Sequence, residues 1–258
     1  MKFLEKVHIK EGVLVKIFSL FVCLYLFNLL SCGLDMFYSI EAPTSYEIPS
    51  YSNTEYTSQT FIFYTNETWF PDAENPAYKF KGTDVYYKIY TSLTTFKNEL
   101  STIETLLDSE STSYLAAEKL IAYNYATLKI DGLDETYLIP SSAGNRVDRE
   151  VKIRLTNYQD LDEYKAIVTV SGVEKGKPIR NISSASLSYT FDFGRSGDGD
   201  LLPQDGDSDL SYTSSTASNL WYVAMYAVAR GFDPTLSAIY SVPVYIGSVT
   251  IDSDLEDN

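Results

Sequence analysis

The chain has 258 residues with 35 acidic and 20 basic side chains, which gives a formal net charge of -15 at pH 7. It contains one histidine, His8, and two cysteines, Cys23 and Cys32. Residues 33–258 therefore cannot supply a thiolate nucleophile, a disulfide, a Ser-His-Asp triad or a zinc site built on Cys and His. An acidic surface also repels nucleic acid, so we expect no nucleic-acid partner.

The first 31 residues have the order of a secretory signal peptide. Lys2, Lys6 and Lys10 form a basic start, and a largely apolar run of 14 residues follows from Ile17 to Leu30. As a helix this run would span about 21 Å, which is less than the hydrocarbon core of a bilayer, about 30 Å. The pattern predicts a signal peptide over residues 1–31 rather than a membrane-spanning helix.

The apolar run ends in Leu29, Leu30, Ser31 and Cys32, which resembles the lipobox of bacterial lipoproteins. The resemblance implies that Cys32 becomes the first residue and carries acyl chains such as palmitate, since two or more chains make membrane attachment lasting. It also implies a place in the cell envelope, at the periplasmic or outer membrane surface. The alternative is an uncleaved N-terminal anchor in which Cys32 is incidental.

Removal of residues 1–31 would take away four Lys and two Glu and leave a net charge of about -17. Residues 32–58 predict an extended leader with one edge strand, because Pro43 and Pro49 cannot lie in a central ladder. We expect one domain over residues 59–258. Its first strands are predicted at Thr60–Thr65 and at Gly82–Tyr90, where apolar and polar residues alternate as in a half-buried strand.

The period then changes to steps of three and four residues, which is typical of an amphipathic helix with Thr91 or Ser92 as its N-cap. Its apolar stripe consists of Leu93, Phe96, Leu100, Ile103 and Leu107. A second helix is predicted at 114–126, with Leu115, Leu120 and Ile121 or Tyr123 facing the core. The two would form an antiparallel helical pair inserted at about 92–126. The alternative for the stripe is a coiled-coil surface that binds a partner.

Beyond Ile130 the pattern returns to short alternating strands separated by Gly, Pro, Asn and Asp. They are predicted at Arg149–Leu155, Tyr164–Gly172, Ser184–Phe193, Trp221–Gly231 and Ile239–Val249. Because no alternating βαβ pattern is present, the fold class is predicted to be mainly β, an antiparallel β-sandwich with a helical insertion.

The last two predicted strands resemble the closing hairpin of a fibronectin type III or immunoglobulin-like domain. Tyr222, Ala224 and Tyr226 alternate along the first strand, and Gly231 and Ser237 lie near the expected turn. The resemblance covers about 30 residues, and the family has no counterpart of the helical insertion. Together with the leader and the tyrosine-rich strand Gly82–Tyr90, the hairpin is similar to uncharacterised spirochaete lipoproteins, which implies an envelope protein without catalytic activity.

An acidic segment from Ser196 to Ser211 is a candidate calcium loop. Its carboxylates are Asp198, Asp200, Asp205, Asp207 and Asp209, and carboxylates spaced two apart can converge on this cation. The last three match the first liganding positions of an EF-hand loop, but Leu210 occupies the position of the required Gly and Thr216 that of the bidentate Glu. A solvated acidic loop without a cofactor is the alternative.

Trp69, in a loop after the first predicted strand of the domain, is a candidate aromatic platform for a ligand, whereas Trp221 is expected in the core. The sequence favours a non-catalytic, lipid-anchored envelope protein whose sandwich contacts a protein or a glycan. The alternatives are a carboxylate-dependent carbohydrate-active enzyme, which needs two suitably spaced carboxylates, and a structural component of an envelope assembly.

Overall fold

The computed structural model describes residues 40–67, 79–142, 147–157, 164–182, 189–193, 202–213, 219–233 and 236–252. No helix in these ranges is long and apolar enough to cross a membrane. The predicted signal peptide, Cys32, Trp69, Asp198 and Asp200 lie outside the described residues.

The described residues form fourteen strands and two α-helices. The strands before the helices are β1 (Thr44–Ser45), β2 (Phe61–Tyr64) and β3 (Lys79–Tyr90), and the helices are α1 (Leu93–Leu107) and α2 (Leu115–Ala122). The strands after them are β4 (Ala126–Thr127), β5 (Lys129–Ile130), β6 (Ile139–Pro140), β7 (Glu150–Arg154), β8 (Ile167–Val170), β9 (Val173–Gly176), β10 (Pro178–Ile179), β11 (Leu210–Ser211), β12 (Leu220–Phe232), β13 (Ala238–Tyr240) and β14 (Val244–Asp252). The mainly β fold class is confirmed, whereas an immunoglobulin-like topology is not established.

The smaller of the two principal sheets has five antiparallel strands in the order β1, β2, β7, β8, β9. Every second side chain along these strands points into the interior, because successive side chains of a strand point to opposite faces of the sheet. The buried set is Phe61, Phe63, Val151, Ile153, Val168 and Val170. The strands predicted at Thr60–Thr65, Arg149–Leu155 and Tyr164–Gly172 are therefore confirmed, with ends trimmed by a few residues.

The larger sheet has seven strands around the long antiparallel pair β3 and β12. Strands β13 and β14 pair with the other edge of β12, β4 and β6 pair with β3, and β11 adds the one parallel pairing described in this sheet. The prediction of a single returning strand at Ile239–Val249 is wrong, because the chain leaves the ladder after Tyr240. Ser241 stabilises the backbone at this interruption, since its Oγ accepts a hydrogen bond from the Ala229 amide at 2.9 Å.

The two sheets face one another and share a hydrophobic core, which makes this part of the molecule a β-sandwich. Val85, Tyr87 and Ile89 of β3 pack there with the inward side chains of the five-stranded sheet. Of the strand predicted at Ser184–Phe193, the described part, 189–193, is not a strand. Phe191 and Phe193 nevertheless lie fully buried in this core.

The two helices cover the opposite face of the seven-stranded sheet, so the fold has three layers. Ser92 caps α1, its Oγ accepting from the Thr95 amide at 3.3 Å, which confirms the predicted N-cap. Phe96 and Ile103 of α1 and Leu120 of α2 are buried against the sheet. The prediction that the stripe of α1 faces the core is confirmed.

Of the predicted alternatives Ile121 and Tyr123, Tyr123 packs against the helical core, whereas Ile121 is 62% exposed. Ala116 is buried there together with Leu120. The burial of β3 differs from the prediction. Strand β3 is not half-buried: Asp84 and Lys88, on its polar face, are also buried. Alternation predicted one solvated face, but only the tertiary structure shows that other parts of the chain cover that face.

The segment predicted as a leader is packed onto the domain from Ile40 onward. Ile40 is buried against Phe80 and Ala229. Further along, Pro49 O accepts from the Ser248 amide at 2.9 Å, and Thr250 Oγ1 donates to Tyr51 O at 2.7 Å. Residues 49–51 thereby run along β14. Thr44–Ser45 forms the edge strand of the five-stranded sheet, as predicted.

Gly247 of β14 is required by this close packing. Its φ is 128°, and a Cβ atom there would lie 2.5 Å from Pro49 Cδ and 2.8 Å from Pro49 O. Gly172, in the turn between β8 and β9, also has a positive φ, 75°, but a Cβ there would meet nothing within 4 Å.

We predict that Gly247→Ala lowers the free energy of unfolding by about 1–3 kcal/mol more than Gly172→Ala does. Both alanines bear the cost of an unfavourable φ, about 1–3 kcal/mol, but only the first is also overpacked against Pro49. Urea denaturation of the two variants measures the difference. Equal losses would show that the Pro49 segment is not held against β14.

Candidate functional site

In the described part of the acidic segment, residues 202–211, two aspartates bind a buried arginine instead of forming an open carboxylate cluster. Arg180 Nη2 donates to Asp209 Oδ1 at 2.6 Å and to Asp207 Oδ2 at 2.7 Å, and its Nε donates to Asp209 Oδ2 at 3.0 Å. Tyr87 adds a hydrogen bond of 2.6 Å from its hydroxyl to Asp209 Oδ2. Arg180 and Asp209 are both buried.

Burial by itself lowers the pKa of Arg180, but Asp209 and Asp207 outweigh burial and raise the pKa. The same environment raises the pKa of Tyr87 well above its usual value, first through burial and then through the charge of Asp209. The guanidinium therefore stays charged and the phenol stays neutral. This cluster connects the acidic segment to β3 and to the residue after β10, which is a structural role.

These contacts bear directly on the predicted calcium loop. Asp207 and Asp209 direct oxygens at Arg180, while Asp205 is exposed. Among the residues that the structure describes, no group of three or more Asp, Glu, His or Cys residues converges as metal ligands would. Calcium binding through Asp198 and Asp200 stays a prediction, since both lie outside the described ranges.

Two further carboxylates are buried with their own partners. Glu67 accepts from the Ser142 amide at 3.0 Å and from its Oγ at 2.9 Å, and forms an ion pair with Arg149. Asp192 pairs with Lys177 at 2.6 Å and accepts from Thr156 Oγ1 at 2.8 Å. Buried carboxylates with such partners hold loops together and offer little to a ligand.

The two tryptophans, Trp221 and Trp69, were predicted to have different roles. Trp221 is 8% exposed and packs edge-to-face on Phe193 at 5.6 Å, so its predicted place in the core is confirmed. Trp69 lies outside the described residues.

The candidate functional site is a pair of adjoining grooves on the outer face of the five-stranded sheet. Their volumes are about 600 and 520 Å³, and both are lined by Glu47, Ile62 and Lys152. Outward-facing side chains of β2 and β7 form the floor. We call the two together the outer groove.

The leader forms one wall of the outer groove. Strand β1 and the residues after it bring Tyr46, Ile48 and Ser50 alongside the sheet, and Asn53, Thr57 and Ser58 continue the wall at the far end. Tyr46 is 74% exposed and meets Tyr64 edge-to-face at 5.5 Å. A ligand would therefore meet exposed aromatic surface beside a series of hydroxyl and amide groups.

Charged groups of both signs line the floor. Glu150 accepts from the Tyr64 hydroxyl at 3.0 Å and pairs with Lys152 at 2.9 Å. Hydrogen bonds from Lys152 and Tyr64 lower the pKa of Glu150, and the bond to Glu150 raises the pKa of Tyr64. Glu150 is thus ionised and Tyr64 neutral at neutral pH.

An arginine held on an aromatic ring marks the far end of the floor. Arg154 Cζ lies 5.1 Å from the ring centre of Tyr164, and Arg154 Nη2 donates to Thr60 Oγ1 at 3.0 Å. Tyr164 in turn packs edge-to-face on Tyr56 at 4.8 Å. The lining of the 600 Å³ groove contains two basic side chains, Arg154 and Lys152, and one acidic one, Glu47, although the chain as a whole is strongly acidic.

Sequence reasoning did not find this site. It assigned β2 and β7 correctly, but it treated the leader as separate from the domain and looked for recognition in loops. The outward positions of a strand do show in the alternation, so Tyr64, Lys152 and Arg154 were identifiable as surface residues. Nothing in the local sequence indicates that Tyr46 lies beside them.

Family models, curated proteins and solved structures were compared with the chain, and none matches it.

We predict that Asp209→Asn lowers the free energy of unfolding by about 3–5 kcal/mol, because removing one partner leaves a buried charge without its main counter-ion. Asp205→Asn makes the same chemical change at an exposed position and should stay within about 0.5 kcal/mol of the parent chain. Chemical denaturation of both variants is the measurement. A similar small loss for the two would mean that Arg180 does not depend on Asp209.

Proposed function

We propose that this protein is a lipid-anchored component of a bacterial cell envelope that binds a glycan or a protein without catalysis. The observation that carries the binding part is the outer groove, an open surface lined by aromatic, hydroxyl and paired charged side chains. Ligand sites combine aromatic contact area with a few fixed polar groups, and this groove has both. Its open, polar form suits an extended polar ligand, and we favour a glycan.

The proposed anchor places strict limits on where the domain works. Acyl chains on Cys32 would hold the chain at a membrane surface, and residues 33–40 can extend over at most about 29 Å. From Ile40 the chain is packed on the domain. The domain would therefore stay close to the lipid headgroups, at the periplasmic or outer membrane surface, and could reach only ligands of the adjacent envelope.

A carbohydrate-active enzyme is the rival proposal, and Glu150 does not fit the role of its general acid. A glycosidase needs one carboxyl whose pKa is raised so that it can donate a proton to the leaving group. The pKa of Glu150 is instead lowered by Lys152 and Tyr64. Such a carboxylate accepts hydrogen bonds from sugar hydroxyls or from peptide amides and keeps its charge.

The anchor is tested by metabolic labelling with radioactive palmitate in the bacterium that makes the protein. We expect label on the parent chain and none on Cys32→Ala, because the acylated sulfur is then missing. Cys23→Ala is the matched control and should label like the parent. Label that persists in Cys32→Ala would end the lipoprotein proposal.

The groove is tested with two exposed tyrosines in different places. Tyr46→Ala removes aromatic surface from the groove wall, whereas Tyr114→Ala removes it next to α2, where Tyr114 is 65% exposed. In a glycan array and in co-sedimentation with purified peptidoglycan, we expect Tyr46→Ala to bind about three- to tenfold more weakly. Tyr114→Ala should bind like the parent. Equal binding by both variants would exclude the outer groove, and no binding by the parent would exclude a glycan ligand of these classes.

A further inference from the structure

The end of the domain at which the leader joins it carries exposed apolar side chains on and beside β13. Leu236, Tyr240 and Val242 keep 68%, 39% and 37% of their surface exposed, although they lie close together in the chain. Single exposed apolar residues are common on protein surfaces, whereas a concentration of them at one place is typical of a contact surface. We call these three residues the β13 surface.

The β13 surface lies beside the point at which the described chain begins. Ile239, in the middle of β13, packs against a buried cluster that consists of Ile40, Phe80 and Ala229. Leu236 and Val242 are three residues from Ile239 on either side, so their Cα atoms lie within about 11 Å of its Cα atom. Because residues 33–40 extend over at most about 29 Å, a lipid anchor on Cys32 would tether the domain by this end.

Leu236 has a backbone conformation that a leucine does not favour. Its φ is 67°, in the left-handed region, where a bulky residue is strained. Two hydrogen bonds to Asp233 maintain the turn: the Leu236 amide donates to Asp233 O at 3.0 Å, and the Ser237 amide donates to Asp233 Oδ1 at 2.8 Å. A leucine that is both strained and largely exposed adds little to the stability of the domain. Such an outlier points to a contact made outside the molecule.

The side chains around the β13 surface suit the boundary between lipid and water. Tyr240 combines an aromatic ring with a polar hydroxyl, and tyrosine is enriched at the level of the lipid headgroups. Lys81 Nζ lies 6.0 Å from the ring centre of Phe232. A lysine so placed can keep its stem on apolar surface while its ammonium group reaches a headgroup phosphate. Aliphatic residues beside aromatic and basic ones are typical of segments that lie in the membrane interface.

A second copy of the chain is the other occupant that this edge could receive. Among the described strands, β12 is the one neighbour of β13, so the other edge of β13 has no partner there. The strand pairs with β12 through three residues only, however, and so short an edge offers few hydrogen bonds to an added strand. The anchor, in contrast, brings a bilayer to this end of every molecule.

From these observations we propose that the β13 surface contacts the phospholipid bilayer, with Leu236 inserted below the headgroups and Tyr240 at their level. The domain then stands on the membrane by the end at which its anchor leaves it. This inference rests on the lipid anchor of the function proposed above, because the anchor holds the domain near the bilayer.

The test uses one introduced thiol in the processed protein. Once Cys32 is acylated and residues 1–31 are removed, the chain has no other thiol, so Leu236→Cys supplies a single reactive position. The protein is isolated from the bacterial membrane in detergent and labelled with a fluorophore that is sensitive to solvent polarity. It is then reconstituted into phosphatidylcholine vesicles, whose headgroups have no net charge to repel an acidic protein. A second set of vesicles carries a nitroxide quencher on the acyl chains.

Ile121→Cys is the matched control, because Ile121 is an aliphatic residue on α2 that is 62% exposed. It lies towards the opposite end of β3. Tyr123, two residues further along, has its ring centre 5.7 Å from Lys88 Nζ, and Lys88 is about 26 Å along β3 from Phe80. A domain that stands on the β13 surface keeps this position in water.

We expect the label at position 236 to emit at shorter wavelength and to lose at least about a third of its emission in the nitroxide vesicles, because interfacial side chains lie about 5–10 Å into the headgroup region. The label at position 121 should show neither change.

The parent protein should take up no label. Label on Cys32 of the parent would remove the anchor, and this inference with it. With an unlabelled parent, equal quenching at the two positions or no quenching at position 236 would overturn the membrane contact alone. A shift to shorter wavelength without quenching would show that a second copy covers β13, which also overturns the proposal.

Discussion

The antiparallel pair of β3 and β12 is the constraint on which the rest of the structure depends. Their pairing runs from Tyr222 opposite Tyr90 to Phe232 opposite Lys79. One face of the pair completes the core of the sandwich, and the other face receives the two helices. A strand pair that is buried on both faces must satisfy every backbone group within the sheet and must neutralise every charge that it carries inward.

Such neutralisation accounts for two of the charged pairs in the described interior, and a hydrogen bond from β3 reaches a third. On the helical face, Lys88 pairs with Glu99 of α1 at 2.8 Å and Asp84 pairs with Arg230 of β12 at 2.6 Å. On the sandwich face, Tyr87 reaches Asp209, which holds Arg180. Each contact joins β3 to a different part of the chain. Acidic residues that suggest catalysis or metal binding in the sequence thus have structural partners in several of these places.

The surface of the five-stranded sheet is free of this constraint, because nothing described in the structure covers its outer face. Here Glu150, Lys152 and Arg154 remain at the surface beside Tyr64, and the leader adds Tyr46 along the edge. The leader thereby has two roles in our proposal, since it both connects the domain to the lipidated Cys32 and forms a wall of the outer groove. Ligand binding and membrane attachment would then involve one continuous stretch of backbone.

The sequence by itself determined the features that depend on near neighbours. The alternation of β2 and β7, the three- and four-residue steps of α1 and its Ser92 cap are local patterns, and the structure confirms them. The lack of Cys and His after residue 32 excludes whole classes of catalysis on composition alone. The lipobox resemblance likewise rests on neighbouring residues, Leu29 to Cys32.

Only the tertiary structure decided which faces are covered and which charges meet. Arg180 is separated by 29 residues from Asp209 and Tyr87 by 122, and Tyr51 packs near Ser248 from the other end of the chain. No periodicity relates residues so far apart, because their contact follows from how the layers stack rather than from the shape of either segment. For the same reason the alternation in β3 identified the side of the strand that faces the sandwich core, whereas the helices over its other face became visible only in three dimensions.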